Sequence, residues 1–379
     1  MFELGFTPEE ETFRADLRAW LAANLPAPMS ADEDVRREQQ RAWQRKLADA
    51  GYLAVQWPRE YGGRSAGLNE QIIYAEEMAH ARAPEILDAV ALNIVGPVLI
   101  HAGTPAQKAA HLPRIRRAEE VWCLGFSEPN AGSDLASLRT RAIRDGDHWV
   151  VTGQKVWSSK AHFADWLLCL VRTDADVPRH KGISCLIVDM KSPGLTWRPL
   201  VQISGRREFN EVFMEEVRVP VADTVGPVNG GWELIRTALA HERGTLWAFD
   251  FRVRLQNLAR GVVDLYRRER RGGPEGAALR DRVAQAWIEA EVFRAHTMRL
   301  LPKLHAGAPT EAALTKVLGS EVHQRTCELA MALQGPAAQS GDGEWYEQYL
   351  YSRSVTISSG TSEVLRNLLA QQALGLPRG

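Results

Sequence analysis

The sequence predicts an α+β chain in three successive regions: an all-α N-terminal part, a middle β-barrel or sandwich, and a C-terminal four-helix bundle. Three observations carry this. Helical periodicity runs to about residue 118. Short β-branched and aromatic runs begin near Val121, and long helical pattern returns after the Gly226-Pro227 and Gly230-Gly231 punctuation. The boundaries that follow are 1–119, 120–225 and 226–379.

In the first region, Thr7-Pro8-Glu9-Glu10 supplies a cap residue, a proline at the first helical position and a capping-box acid, so a helix begins there. Phe13, Leu17, Trp20 and Leu21 continue it as one apolar stripe. Further helices are expected over Asp34 to Ala50, Asn69 to Ala81 and Thr104 to Ile115. In the middle region 148–152, 166–171, 183–188 and 211–214 read as strands, and Asp145-Gly146 is a hairpin signal. In the third, helices are expected over Trp232 to Arg270, Glu275 to Leu304, Thr310 to Leu333 and Ser362 to Ala373, broken by Gly272-Gly273-Pro274 and Gly307-Ala308-Pro309.

Composition narrows the function classes. With 46 Lys and Arg against 47 Asp and Glu, the chain has no basic excess to displace counterions from nucleic acid or to hold an anionic membrane. Its 379 residues suffice to enclose a deep ligand pocket. Cys123, Cys169, Cys185 and Cys327 lie far apart without a CxxC pair, and the ten histidines show no metal-ligand spacing, so no metal site is expected. The acidic N-terminal stretch is unlike a targeting peptide, and no apolar run approaches a membrane span, so the expected location is the cytoplasm.

The sequence holds no GxxxxGK[ST], no HExxH and no GxGxxG after a strand. Its most informative stretch is Leu124-Gly-Phe-Ser-Glu-Pro-Asn-Ala-Gly-Ser-Asp134, whose hydroxyls and backbone N–H groups could serve a phosphate or polar ring. Taken alone it reads as a capped turn sooner than as a ligand site. Gly153-Gln-Lys-Val-Trp-Ser-Ser-Lys-Ala161 and Ile357-Ser-Ser-Gly-Thr-Ser-Glu-Val-Leu-Arg-Asn367 follow in order. Together the three stretches resemble the signatures of the acyl-CoA dehydrogenase family, and the resemblance covers nearly the whole chain. It implies an FAD enzyme that oxidises an acyl-CoA thioester to a trans-2-enoyl-CoA and passes electrons to electron-transfer flavoprotein. Carried over by position, it implies that Phe126 and Ser127 meet the flavin pyrimidine edge, Gly132 and Ser133 the pyrophosphate, Trp157 and Ser159 the ring and its N5 side, and that Thr361 faces FAD from the bundle. Singly, Trp157 reads as a core tryptophan and Ser159 as a strand-end cap.

Removing an α-proton requires a carboxylate raised in pKa by a dry pocket. Many family members place a glutamate immediately before the C-terminal Gly-Thr, where this chain has Ser359, which lacks a basic partner. Isovaleryl-CoA-like and long-chain-like members place it on the first helix of the C-terminal domain in a Glu-Arg pair, and this sequence carries Glu242-Arg243 there. By that resemblance Glu242 is the base and Arg243 supports charge beside it; the bland reading of Glu242 is a surface ion pair along its helix. The backbone N–H of Ser359 can still bond the thioester carbonyl.

Two family stretches that reach FAD in a neighbouring subunit are altered. One becomes Arg267-Arg-Glu-Arg-Arg-Gly-Gly273 without Phe-Gly, and the other places Met331 where a glutamine is usual. The expected assembly is a homodimer or homotetramer, or a heterotetramer with a related chain. The alternative function is a non-catalytic or half-active partner subunit; a third reading is a flavin oxidase or monooxygenase.

Overall fold

Helix α1 (Pro8–Asn24) starts at the expected cap: Glu10 N–H donates to the Thr7 hydroxyl at 3.3 Å, and Thr7 N–H to the Glu10 carboxylate at 2.8 Å. The computed structural model describes residues 6–236, 246–269, 273–305, 309–341 and 343–377. Packing divides the chain into two compact units whose boundaries cut through the N-terminal helices.

One unit contains α1, α3 (Leu68–His80) and the C-terminal helices α6 (Leu246–Glu269), α7 (Gly273–His305), α8 (Pro309–Gln334), α9 (Glu344–Val355) and α10 (Ser362–Gln372). Helix α8 is central, touching α6, α7, α9 and α10. Phe251, Leu255, Phe293 and Val322 form one apolar cluster, and Val262, Leu265, Leu279, Val283, Leu329 and Leu333 another. Gly319 lets α8 approach closely, since a Cβ there would lie 2.8 Å from Phe293 and 2.9 Å from Phe251. Glu76 and Glu77 of α3 pair with Arg14 and Arg18 of α1 and with Arg252 of α6. Burial works to raise the Glu77 carboxyl, but the two α1 guanidiniums outweigh it and hold it below its ordinary value.

The four C-terminal helices expected from the sequence omit α9. Its run mixes tyrosines with charges and has no continuous apolar stripe, and among its residues only Ser352 and Val355 are buried.

The other unit contains α2 (Glu33–Asp49), α4 (Gly96–Ala102), α5 (Pro105–Arg116) and the sheet. The strands are β1 (Trp122–Gly125), β2 (Arg141–Asp145), β3 (His148–Ser159), β4 (Trp166–Arg172), β5 (Ile183–Asp189), β6 (Leu195–Leu200), β7 (Phe209–Pro220) and β8 (Thr224–Val225). Their order is β6-β7-β3-β2-β4-β5-β8, with β1 parallel to β4. The β2–β3 hairpin turns on Gly146-Asp147, with Gly146 at φ 62°, as the Asp-Gly signal predicts. Strands β5 and β7 are four places apart in this order yet touch, so the sheet closes over its inner face. That face is filled by Cys123, Trp149, Val151, Leu167, Cys169, Leu186, Val188, Val212, Met214 and Val217.

A π-helical turn at Ala91–Val95 precedes α4. It is anchored by Asp88, whose carboxylate accepts from Ala91 N–H at 2.9 Å and from Trp122 N–H at 2.6 Å. The Trp57 indole N–H donates to Leu92 O at 3.0 Å. This turn is tied to the start of β1, and β1 leads directly into the 126–134 loop.

Candidate active site

Strand β1 ends at Gly125, and the chain then forms a tight loop in which Glu128 and Ala131 exchange backbone hydrogen bonds at 3.1 and 3.0 Å. The loop is fastened to β3: Val156 N–H donates to Ser127 O at 2.9 Å, and Lys155 Nζ donates to Phe126 O at 3.2 Å and to Glu128 Oε1 at 2.9 Å. Glu128 also accepts the N–H groups of Arg139 at 2.7 Å and Thr140 at 2.8 Å. Burial works to raise the Glu128 carboxyl, but the Lys155 ammonium, with hydrogen bonding from Thr140 and from the Arg139 N–H, outweighs it and holds it below its ordinary value. Lys155 is fully buried.

Immediately after Lys155 the β3–β7 register slips, from Lys155 opposite Val212 to Ser158 opposite Asn210, which inserts one extra residue as a bulge. Trp157 sits in that bulge at φ 62°, a conformation costly for a bulky side chain. Its side chain is not in the core: 59% of its surface is exposed, and one contact is an edge-on pairing with Phe209 at 5.9 Å between centroids. The core-tryptophan reading therefore fails, and a flat aromatic face is presented outward at the expense of backbone strain. Ser159 follows, half-buried and opposite Phe209. Ser158 between them is fully buried, and its hydroxyl has no hydrogen-bond partner among the described residues.

Phe126, Ser127, Gly132, Ser133, Trp157 and Ser159 thus all lie in the unit that carries the sheet, on the β1 loop and the end of β3. Among the described residues no hydrogen bond engages the Ser127 or Ser133 hydroxyl, and Gly132 has nothing within 4 Å of where its Cβ would stand. An open glycine, free hydroxyls and an exposed aromatic face fit a phosphate-bearing, planar-ring ligand such as FAD. The Phe126 side chain is buried and its carbonyl is held by Lys155, so its backbone N–H is what it has to offer.

Ser359 and Thr361 lie in the helical unit, in the turn between α9 and α10. Thr361 caps α10, its hydroxyl accepting from Val364 N–H at 3.2 Å, so the threonine has a structural task as well as the expected one. Ser359 is exposed at φ 55°, and its N–H has no partner among the described residues. Gly360 follows at φ 98°, with its carbonyl accepting from the buried Lys316 Nζ at 2.7 Å. Glu242 and Arg243 lie outside the described residues. Among the described residues no cluster of His, Cys, Asp or Glu could hold a metal ion, and no helix is long and apolar enough to cross a membrane.

Sequence reasoning passed over Glu128, Lys155 and Lys316. The first two stood inside the quoted motifs, but only the fold shows them bonded to each other. Lys316 had a signal: it sits among Ala312, Ala313, Val317 and Ser320, all on the inward side of its helix.

Family models for the N-terminal, middle and C-terminal domains of acyl-CoA dehydrogenase match residues 7–119, 123–217 and 229–374. The chain belongs to the acyl-CoA dehydrogenase family. It is 39% identical over 380 residues to acyl-CoA dehydrogenase IpdE1 of Mycobacterium tuberculosis, covering 97% of this chain and 98% of that one. Among solved structures, the Tcur3481-Tcur3483 steroid ACAD matches with a TM-score of 0.85 and 33% identity over 100% of both chains. The ChsE4-ChsE5 complex from Mycobacterium tuberculosis matches with a TM-score of 0.83 and 32% identity, again over 100% of both. As an acyl-CoA dehydrogenase, the chain has the fold the motifs implied: helices at both ends and a β region between them.

Proposed function

We propose that this acyl-CoA dehydrogenase binds FAD and converts an acyl-CoA thioester to its trans-2-enoyl-CoA, with electrons passed on to electron-transfer flavoprotein. The observation that carries the reading is Trp157: a strained bulge holds an exposed indole beside Ser159, next to a loop whose Ser127 and Ser133 hydroxyls are free. The chemistry that FAD supplies when bound is acceptance of a hydride.

The chain's own residues divide the remaining work. Ser127, with the Phe126 backbone, orients the pyrimidine edge. Gly132 and Ser133 receive the pyrophosphate, Trp157 and Ser159 flank the ring, and Thr361 is a further FAD contact. Glu242 takes the α-proton as the β-hydrogen departs with its electron pair, and a C=C bond forms between the two carbons. Arg243 stabilises charge beside Glu242, and the Ser359 N–H polarises the thioester carbonyl. The domain limits belonging to this reading are 1–119, 120–225 and 226–379, and the location is cytoplasmic.

Two relatives solved as two-chain assemblies, one of them a steroid ACAD, support a bulky, steroid-like acyl group and a heterotetramer with a related chain over a homodimer or homotetramer. The altered stretches at Arg267 and Met331 favour the same assembly, since both depart from residues that family members use across the subunit boundary. In such an assembly this chain could be the half-active partner, and colour distinguishes the two roles: the chain purified alone is yellow if it carries a complete FAD site. The substitution Glu242→Gln tests the chemistry. It keeps FAD and folding but lowers turnover by about three or more orders of magnitude, in line with loss of a catalytic base. Near-wild-type turnover would sink the assignment.

A further inference from the structure

The ion pair beneath the ring site does more than fill the core. Lys155 and Glu128 bond each other at 2.9 Å in the sheet interior, and every other partner they show is a main-chain group: Phe126 O, Arg139 N–H and Thr140 N–H. Both ends of the loop are therefore gathered onto one buried carboxylate and one buried ammonium. The Phe126 carbonyl is drawn inward by Lys155 and the Ser127 carbonyl by Val156 N–H, so the two acceptors of this segment are consumed inside the protein. The Ser127 hydroxyl and N–H keep no partner among the described residues, so what the segment has left to offer is one N–H donor and one hydroxyl that can donate or accept. Lys155 is also the last paired β3 residue before the bulge that holds Trp157 at φ 62°. One side chain thus holds the Phe126-Ser127 segment and stands at the edge of the bulge that carries Trp157.

We infer that Lys155 and Glu128 are positioning residues for the flavin site, an inference that rests on the FAD reading above. They act through Phe126, Ser127 and Trp157 and touch neither cofactor nor substrate. Filling the core and orienting a site make different demands. A core role requires only that neither charge be left unpaired, because one buried charge without its partner is strongly destabilising whereas an apolar pair of similar shape is tolerated. A positioning role requires the ammonium itself, because no apolar side chain can hold the Phe126 carbonyl.

The test compares Glu128→Gln, Lys155→Met and the double variant Glu128→Gln/Lys155→Met with the wild-type chain. Each is stripped of flavin, denatured by urea to read stability, and titrated with FAD while the flavin absorbance band is recorded. Lys155→Met loses both stability and FAD affinity. The double variant regains most of the stability, with no lone buried charge, yet binds FAD about tenfold or more weakly and with a shifted band, as expected for loss of about one charge-assisted hydrogen bond. Glu128→Gln nearly keeps the shape of the carboxyl and serves if the double variant does not fold; it too binds FAD more weakly, because the ammonium loses its anchor. A folded double variant, or a folded Glu128→Gln, with wild-type FAD affinity and spectrum overturns the inference and leaves the pair as core filling. A wild-type chain that takes up no FAD overturns the functional reading itself, and that outcome is distinguishable because it precedes any comparison of variants.

Discussion

Trp157→Gly separates binding from stability. For a non-glycine residue the left-handed conformation costs about 1–2 kcal/mol, which glycine at φ 62° does not incur. Against this relief stand the lost edge-on contact with Phe209, about 0.5–1.5 kcal/mol, and the extra backbone entropy of glycine, about 0.5–1 kcal/mol. These contributions nearly cancel, and losing the roughly two-fifths of the indole that is buried costs about 2 kcal/mol by area, so stability should fall by about 1–3 kcal/mol. Trp57 is the control: it is fully buried, and Trp57→Ala should cost about 3–5 kcal/mol. A stacked ring contributes about 1–3 kcal/mol, so FAD binding to Trp157→Gly should weaken by about fivefold to 150-fold. Urea denaturation of the flavin-free protein reads the first quantity and FAD titration the second. A variant as destabilised as Trp57→Ala with unchanged FAD affinity would show that Trp157 is a packing residue and refute the reasoning.

Three further outcomes follow from the packing. Ser158→Ala removes a buried hydroxyl that has no partner, and should raise the urea midpoint by the equivalent of up to about 1 kcal/mol; a lowered midpoint would contradict it. Gly96→Ala places a Cβ 1.9 Å from the ring of buried Trp57, and should cost about 1–3 kcal/mol or more by overpacking, measured in the same way. His323 is buried against the Phe251 ring, and that burial pushes its imidazole down from 6.5 to about 4. The native state then binds fewer protons than the unfolded chain. The contribution is whole above about pH 6.5 and is lost as pH falls toward 4, by about 3 kcal/mol at the acid end. The variant His323→Leu should lack this acid-side decline, and a wild-type-like decline would rule His323 out as its source.

Strong local signals in the sequence translated directly into structure. The Thr7 cap and the Asp-Gly turn each depend on residues within one helical turn or one hairpin, and each is where it was expected. Helix α9 was not legible, because helices are read from an apolar stripe and Glu344–Val355 has none. The continuation of β3 to Ser159 was hidden for a related reason: Gly153, Lys155 and the bulge at Trp157 interrupt the alternation that marks a strand. In the candidate site the exposed residues could be named from motif position, whereas Lys155 and Glu128 could not be given a role. Their partnership joins residues 27 positions apart and exists only once the loop after β1 is packed against β3. Trp157 shows the same limit from the other side, since a tryptophan in a strand reads as core until the bulge turns it outward.

The most direct test of the central claim is one absorbance experiment on the purified chain, supplied with FAD and then titrated anaerobically with straight, branched and steroid-like acyl-CoA esters. A flavin spectrum that one class of ester bleaches is the predicted result, and the class that does so names the substrate. A chain that binds no FAD, or holds flavin that no acyl-CoA reduces, would contradict the account and favour a partner subunit whose redox centre lies on another chain.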